Sequence, residues 1–235
     1  MKKLLALILA LAMVICLCAC GGKEDPKPTE DQKEPAADVA TEPVQEDPTE
    51  APVVSDGLSM TTLLNAPESP AEDFDVVEYG NGDVVLELYL GDDEIVVIPE
   101  SLGVTHIASY TFANDLPVKA IKLSNSVKVI EMGAFGLNNN LEYVACGSEL
   151  QEIGNGAFQN CKNLKEILLS EALVKIGVGT FSGCASLSSV ELPASTTDIH
   201  PKTFGGCADN FTIIGESGSV AEEYASSEGI AFQAK

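Results

Sequence analysis

Five phenylalanines recur at intervals of 23 residues, and this spacing restricts the possible folds more than any other feature of the chain. Two further apolar positions keep the same period, one five residues before each phenylalanine and one nine residues after it. A single unit of this length is too short to bury its own apolar side chains, so neighbouring units must cover one another. The period therefore predicts a solenoid with internal apolar ladders. The ladder positions are Phe112, Phe135, Phe158, Phe181 and Phe204; Ile107, Ile130, Ile153, Ile176 and Ile199; and Ile121, Val144, Ile167, Val190 and Ile213.

Each unit contains one segment that is typical of a short strand. Examples are Ile121-Lys122-Leu123, Ile167-Leu168-Leu169 and Val190-Glu191-Leu192, where β-branched residues favour extended backbone and alternate side chains point inward. Glycines at one repeat position, just before the phenylalanine, predict the turn that carries the chain around the coil: Gly133, Gly156 and Gly179.

The units also carry a family resemblance. The segments VKVIEMGAFGLNNNLEYV, LQEIGNGAFQNCKNLKEI and LVKIGVGTFSGCASLSSV resemble the bacterial surface leucine-rich repeats of the BspA-like type, with their I-G-x-x-A-F-x-x-C-x-x-L-x-x-I core. The resemblance implies an α/β repeat solenoid, a leucine-rich-repeat stack of short strands and turns or short helices. About five 23-residue units, 96–214, are expected inside a domain that spans residues 73–235.

Both flanks of the repeats fit the same family. The segment DVVLELYLGDDEIVVIPESLGVTHI is similar to the strand pair that opens such arrays, and implies an N-terminal cap. The segment IIGESGSVAEEYASSEGIAF is similar to their closing part, and implies a C-terminal helix cap over about residues 219–228, followed by a final strand.

The N-terminus has the features of an export signal. Lys2 and Lys3 precede an uncharged apolar run over residues 4–17, which falls short of the roughly 20 residues that a spanning helix needs. The run ends in Leu17-Cys18-Ala19-Cys20-Gly21, which resembles the bacterial lipobox. The resemblance implies a lipoprotein signal peptide over residues 1–19 and a lipid on Cys20. An ordinary secretory signal, cleaved near the same place, is the alternative.

The next segment is acidic and rich in proline. Residues 21–57 hold 11 Asp and Glu against 3 Lys, a net charge of −8, and lack aromatic residues, so they cannot bury enough apolar surface to offset chain entropy. We therefore expect a disordered stalk over residues 20–57, followed by a poorly ordered lead-in over residues 58–72.

Four cysteines follow the predicted stalk. Cys161, Cys184 and Cys207 share one repeat position, and Cys146 occupies a strand position. We interpret them as buried thiols, because free cysteine is among the most buried residue types. The spacing leaves the redox state open, since a disulfide between neighbouring coils is the alternative. A zinc site is disfavoured because no paired C-x-x-C motif is present.

Composition and motifs exclude several functions. All 13 basic residues are lysine, arginine and tryptophan are absent, and the net charge is −23, which disfavours nucleic acid as a partner. The sequence lacks a Gly-x-Ser-x-Gly elbow, and His106 and His200 belong to coils too far apart to act together. We therefore expect a protein that is not an enzyme and binds no cofactor or metal.

The exposed strand positions are the candidate binding site. One outward position per coil forms a lane of mixed apolar and charged residues, which suits a modest protein interface. The lane consists of Lys122, Ala145, Leu168, Glu191 and Ile214. The alternative is that it is only the outer side of a sheet.

We therefore expect a monomeric lipoprotein on the extracytoplasmic side of the cell membrane. Its predicted partner is an extracellular or cell-surface protein, bound for interaction or adhesion. An envelope structural or accessory role is the alternative, and a solute-binding lipoprotein or an enzyme is less well supported.

Overall fold

Short strands dominate the computed structural model, which describes residues 57–235. The predicted signal peptide, the lipid site at Cys20 and the predicted stalk up to residue 56 lie outside the described residues. Fourteen strands occur in the described part: β1 (Phe74–Glu78), β2 (Val84–Tyr89), β3 (Ile95–Val97), β4 (His106–Ile107), β5 (Ala120–Lys122), β6 (Val129–Ile130), β7 (Tyr143–Ala145), β8 (Glu152–Ile153), β9 (Glu166–Leu168), β10 (Lys175–Ile176), β11 (Ser189–Glu191), β12 (Asp198–Ile199), β13 (Thr212–Gly215) and β14 (Ala231–Ala234).

Successive coils stack in a constant parallel register. Each coil gives one strand to a seven-stranded sheet, ordered β1-β2-β4-β6-β8-β10-β12, and one to a second row of strands. That row consists of the sheet β3-β5-β7-β9 and the sheet β11-β13-β14, with β9 next to β11. Ile130 pairs with Ile153 and Ile153 with Ile176, because a shift of 23 residues repeats the same position. The predicted repeat solenoid is therefore confirmed, as a β-solenoid of about seven turns.

The α/β character is not confirmed, because strands predominate over helices among the described residues. They contain two α-helices, α1 (Met60–Leu64) and α2 (Val220–Glu228), and two short 3-10 helices, Ala71–Asp73 and Glu100–Leu102. Tight turns connect the strands inside each coil instead of helices. Two positions per coil adopt left-handed backbone, which ends regular structure and reverses the chain; Gly156 and Asn160 illustrate them in one coil.

The phenylalanine ladder forms the centre of the core. Ring centroids of Phe112, Phe135, Phe158, Phe181 and Phe204 follow one another at 5.1, 4.8, 5.3 and 5.3 Å, with nearly parallel planes. All five rings are buried. Stacking at this distance adds an attraction between rings to the burial of their apolar surface. The coils are thus held mainly by contacts with their immediate neighbours.

The two ends of the stack differ from the interior. At the first coil, β1 and β2 form an antiparallel hairpin, and β2 continues the sheet by pairing with β4 in parallel. At the last coil, α2 buries Ala221, Tyr224 and Ala225, and β14 then pairs with β13. None of the helices within residues 57–235 is long and apolar enough to cross a membrane.

The lead-in over residues 58–72 folds, contrary to the expectation of poor order. Ser59 caps α1 by accepting a hydrogen bond from the Thr62 N–H at 3.2 Å. The helix buries Met60 and Leu63, which form a small apolar cluster with Ala120 of β5. The prediction from composition failed, because a few apolar residues in a polar segment can pack on the domain when its surface has a complementary apolar shape.

Candidate functional site

The outer side of the second row of strands, termed the strand face, contains the predicted binding lane. In each three-residue strand the middle side chain, such as Ile121, Val144 or Ile167, points into the core and its two neighbours point outward. The outward residues of β5, β7, β9, β11 and β13 form two columns. The first column is Ala120, Tyr143, Glu166, Ser189 and Thr212, and the second is the lane Lys122, Ala145, Leu168, Glu191 and Ile214.

The structure brings the lane residues into register but does not expose all of them. Lys122, Ala145 and Leu168 are direct cross-strand neighbours, as are Glu191 and Ile214. Ala145, however, is only 3% exposed, because α1 packs over it. The prediction that Ala145 belongs to an exposed lane is therefore wrong.

Small side chains on the strand face explain why α1 docks there. Ala120 and Ala145 occupy outward positions where the next coil carries Tyr143 and Leu168, respectively, so the two alanines leave room for the Met60 and Leu63 side chains. The partly buried Leu58, Ile95 and Tyr143 pack around this cluster. The alanine pair beneath an apolar helix was a signal available in the sequence, but its two halves lie far apart in the chain.

A backbone anchor holds the lead-in beside the sheet edge. The Ser69 N–H donates to the Val97 carbonyl at 2.9 Å, and the Val97 N–H donates to the Ser69 hydroxyl at 3.1 Å. Farther along, the Glu68 carboxylate accepts from the Glu100 N–H at 3.0 Å. These bonds cover the edge of β3, which would otherwise present unpaired backbone groups.

Beyond α1, the C-terminal half of the strand face is open. The Leu168 side chain is 39% exposed, Glu166 and Glu191 are exposed, and Ile214 is half-buried. Glu191 accepts a hydrogen bond from the Lys235 ammonium at 2.7 Å, and this bond raises the pKa of Lys235. The open half therefore combines apolar side chains with acidic ones.

The cysteine ladder is structural. The thiols of Cys161, Cys184 and Cys207 donate to the carbonyls of the preceding coil's phenylalanines, Phe135, Phe158 and Phe181, at 3.1, 3.2 and 3.5 Å. Burial raises the pKa of Cys161 to about 12, so the thiol stays protonated and unreactive. Buried thiols are thus confirmed at Cys161 and Cys184, while Cys207 and Cys146 are half-buried; all four are free.

The described residues contain no set of side chains that could bind a metal ion. Within residues 57–235, no group of three or more His, Cys, Asp or Glu side chains is placed to hold a metal ion.

Comparison with known proteins gives the family. The model of the BspA type leucine rich repeat region matches residues 94–225, with six copies, one more than the five units expected from the phenylalanine spacing. The chain belongs to the BspA-type leucine-rich-repeat family. None of the curated protein sequences matches this BspA-type chain.

Solved structures of other bacterial repeat proteins resemble the BspA-type chain. A leucine-rich-repeat protein of T. pallidum, TpLRR, is 30% identical, with a TM-score of 0.60 over 63% of this chain and 71% of that one. A leucine-rich cell surface protein from Faecalibacterium prausnitzii is 24% identical, with a TM-score of 0.49 over 71% and 39%. The pneumococcal vaccine antigen PcpA is 21% identical, with a TM-score of 0.46 over 62% and 48%.

Proposed function

We propose that this BspA-type chain is a lipid-anchored protein of the cell surface that binds a protein partner, for interaction or adhesion, through the open half of its strand face. One observation carries the proposal: α1 covers the strand face at Ala145 but leaves Leu168, Glu191 and Ile214 accessible. The open half is built on strands of neighbouring stacked coils, so binding to it requires little ordering of the protein. The proposal assigns no catalytic activity.

The chemistry of the open half specifies the kind of partner. Leu168 and Ile214 offer apolar contact, while Glu166 and Glu191 place negative charge beside them. The net charge of −23 adds a long-range field of the same sign. A protein surface that presents lysine or arginine around an apolar centre therefore fits best, because like-charged surfaces are repelled.

Leu168→Asp tests the strand face. It removes the central apolar contact from an exposed position, so the fold stays intact and partner affinity falls by about tenfold or more. The measurement is binding of the wild type and the variant to an array of purified extracellular proteins. Val178→Asp is the matched control, because Val178 is 45% exposed and lies outside the strand face. Equal binding by wild type and Leu168→Asp would contradict the proposal.

The lipid anchor and the location need a separate experiment. The support is the motif Leu17-Cys18-Ala19-Cys20-Gly21, so Cys20→Ala is expected to move the protein from the membrane fraction to the medium. Protease treatment of intact cells should release a stable fragment that begins within residues 20–57. A protein that is cleaved only after the cells are broken would instead indicate an envelope role without adhesion.

A further inference from the structure

Inside the stack, each coil donates a row of backbone hydrogen bonds to the next coil. One such row starts at the N–H groups of Gly133, Phe135 and Leu137, two residues apart. They donate to the carbonyls of Asn155, Ala157 and Gln159 at 3.0, 2.8 and 2.8 Å. The same covering segment also sends the Cys161 thiol back to the Phe135 carbonyl at 3.1 Å.

The last coil carries the same row with no coil to receive it. The donors found in every interior coil, equivalent to Phe135 and Leu137, are the N–H groups of Phe204 and Gly206, and neither donates to a backbone carbonyl within residues 57–235. Phe204 is buried whereas Gly206 is exposed, so the Gly206 N–H is the donor of this row that a strand-like partner can reach.

Helix α2 covers Phe204 and leaves Gly206 exposed. Its Tyr224 ring lies edge-on to Phe204, with ring centroids 6.0 Å apart. Burial raises the pKa of Tyr224, and the neighbouring Phe204 N–H lowers it. The buried Tyr224 hydroxyl nevertheless lacks a hydrogen bond of good geometry. Gly206 lies beyond the helix and lines a groove.

A cavity of about 580 Å³ adjoins this open donor. It lies between the turn of the last coil and residues 229–231, and Phe204, Cys207, Phe211 and Ile230 supply its apolar walls. Phe211 is buried, whereas Cys207 and Ile230 are half-buried. A cavity of this size accommodates a large side chain with part of its backbone.

We propose that this end of the array, termed the end groove, is a second binding site that takes an extended peptide segment of a partner. A backbone carbonyl of the peptide accepts a hydrogen bond from the Gly206 N–H, and one apolar side chain enters the cavity. The chain itself provides the precedent, because the Gln159 carbonyl accepts from the N–H of Leu137, the repeat equivalent of Gly206, at 2.8 Å. This is strand-edge recognition applied to the turn of a solenoid.

Two observations decide the kind of occupant. A second copy stacked end to end is disfavoured, because the β1–β2 hairpin covers the first coil and leaves no matching open coil at that end. Asp209 lies at the groove and the whole chain is strongly acidic, so a neutral or basic peptide fits better than an acidic one. The end groove is separate from the strand face and does not depend on binding there.

The test uses residues 56–235, which form one compact unit with its own core. The probe is a blocked peptide with the sequence of residues 154–164, the segment that covers an interior coil. It is titrated under reducing conditions into ¹⁵N-labelled protein. We expect saturable shifts of the amide signals of Gly206, Phe211 and Ile230, and smaller shifts on the strand face.

Ala208→Trp is the informative variant, because Ala208 lines the groove and an indole there fills it. We expect it to weaken peptide binding about tenfold or more. Ala185→Trp is the matched control, since Ala185 occupies the same repeat position one coil earlier and is exposed outside the groove. Its affinity should stay within about twofold of the wild type, a difference that is small on the free-energy scale.

A selection from a random 12-residue peptide library gives a second measurement that does not depend on one probe. Peptides recovered on the wild type should lose binding to Ala208→Trp and keep it to Ala185→Trp. The proposal is overturned if the 154–164 peptide gives no saturable shifts at the groove, or if no recovered peptide distinguishes the two variants. Thermal unfolding of each variant establishes that the substitutions leave the fold intact.

Discussion

Left-handed backbone positions carry a measurable cost wherever the residue is not glycine. Leu137 has φ 63° and its side chain is 54% exposed, so little burial compensates for its conformation. In later coils the same repeat position is Asn160, Gly183 or Gly206, residues that adopt left-handed backbone more readily. The array thus contains a local strain that could be removed without altering its packing.

Leu137→Gly is therefore expected to stabilise the protein by about 0.5–1 kcal/mol, the relief of left-handed strain less the added chain entropy of glycine. Urea denaturation measures the free energy of unfolding. Gly156→Ala is the reverse control: a Cβ there has room, with its nearest neighbour 3.5 Å away, but φ is 58°. It should destabilise by about 1 kcal/mol. A destabilised Leu137→Gly protein would contradict the strain argument.

The buried thiols make stability depend on pH. Burial raises the pKa of Cys161 to about 12, above the ordinary value near 9. The folded state therefore keeps its thiols protonated while the unfolded chain ionises. Their contribution to stability is complete below pH 9 and is lost progressively as the pH rises from 9 toward 12.

Cys161→Ser tests this dependence. Its hydroxyl retains a donor toward the Phe135 carbonyl but does not ionise in this range. In reducing buffer, the free energy of unfolding of the wild type should fall more steeply above pH 9, by about 1.4 kcal/mol per pH unit for this thiol. Parallel profiles for wild type and variant would show that Cys161 ionises equally in both states.

At the scale of elements, α1 is held by a cluster separate from the main core. Met60 and Leu63 pack with Ala120 and Ala145, and no other fully buried residue joins that cluster. Elements attached by few buried contacts open more readily than the body of a protein. We therefore expect α1 to detach without unfolding the solenoid.

Leu63→Asp should produce that detached state, because an unpaired carboxylate does not remain in an apolar cluster. Hydrogen exchange followed by mass spectrometry should show faster exchange over residues 57–66 and around Ala145, with the interior coils unchanged. Leu64→Asp is the control, since the adjacent Leu64 is 44% exposed. Global unfolding by Leu63→Asp, or an equal effect of Leu64→Asp, would show that α1 is part of the main cooperative unit.

The sequence predicted the stacked elements but not the docked one, for a physical reason. The apolar positions of Phe135, Ile130 and Val144 recur in the next coil, so the 23-residue period predicted both the burial and the register of these side chains. Leu63 has no counterpart in the repeats, and Ala145 lies 82 residues later in the chain. Their contact depends on the fit between two surfaces that are distant in the chain, and a local sequence pattern cannot predict such a fit. The lane prediction failed at Ala145 for the same reason.

At the scale of the whole molecule, the interior coils are equivalent and the ends are not. The end groove was invisible in the sequence because it is defined by the missing partner of Gly206, and only the arrangement of α2 determines which donors stay open. The phenylalanine ladder meets different neighbours at its two ends, Tyr89 beyond Phe112 and Phe211 with Tyr224 beyond Phe204.

The uniform register between coils has a consequence for how such a protein changes over time. Because Ile130, Ile153 and Ile176 pair in the same way, each interior coil is an acceptable neighbour for a copy of itself. A genetic duplication or deletion of one whole 23-residue unit would leave both junctions matched and the terminal structures intact. The length of the molecule, and with it the area displayed to a partner, can therefore change by one 23-residue unit at a time without requiring a new kind of contact between coils.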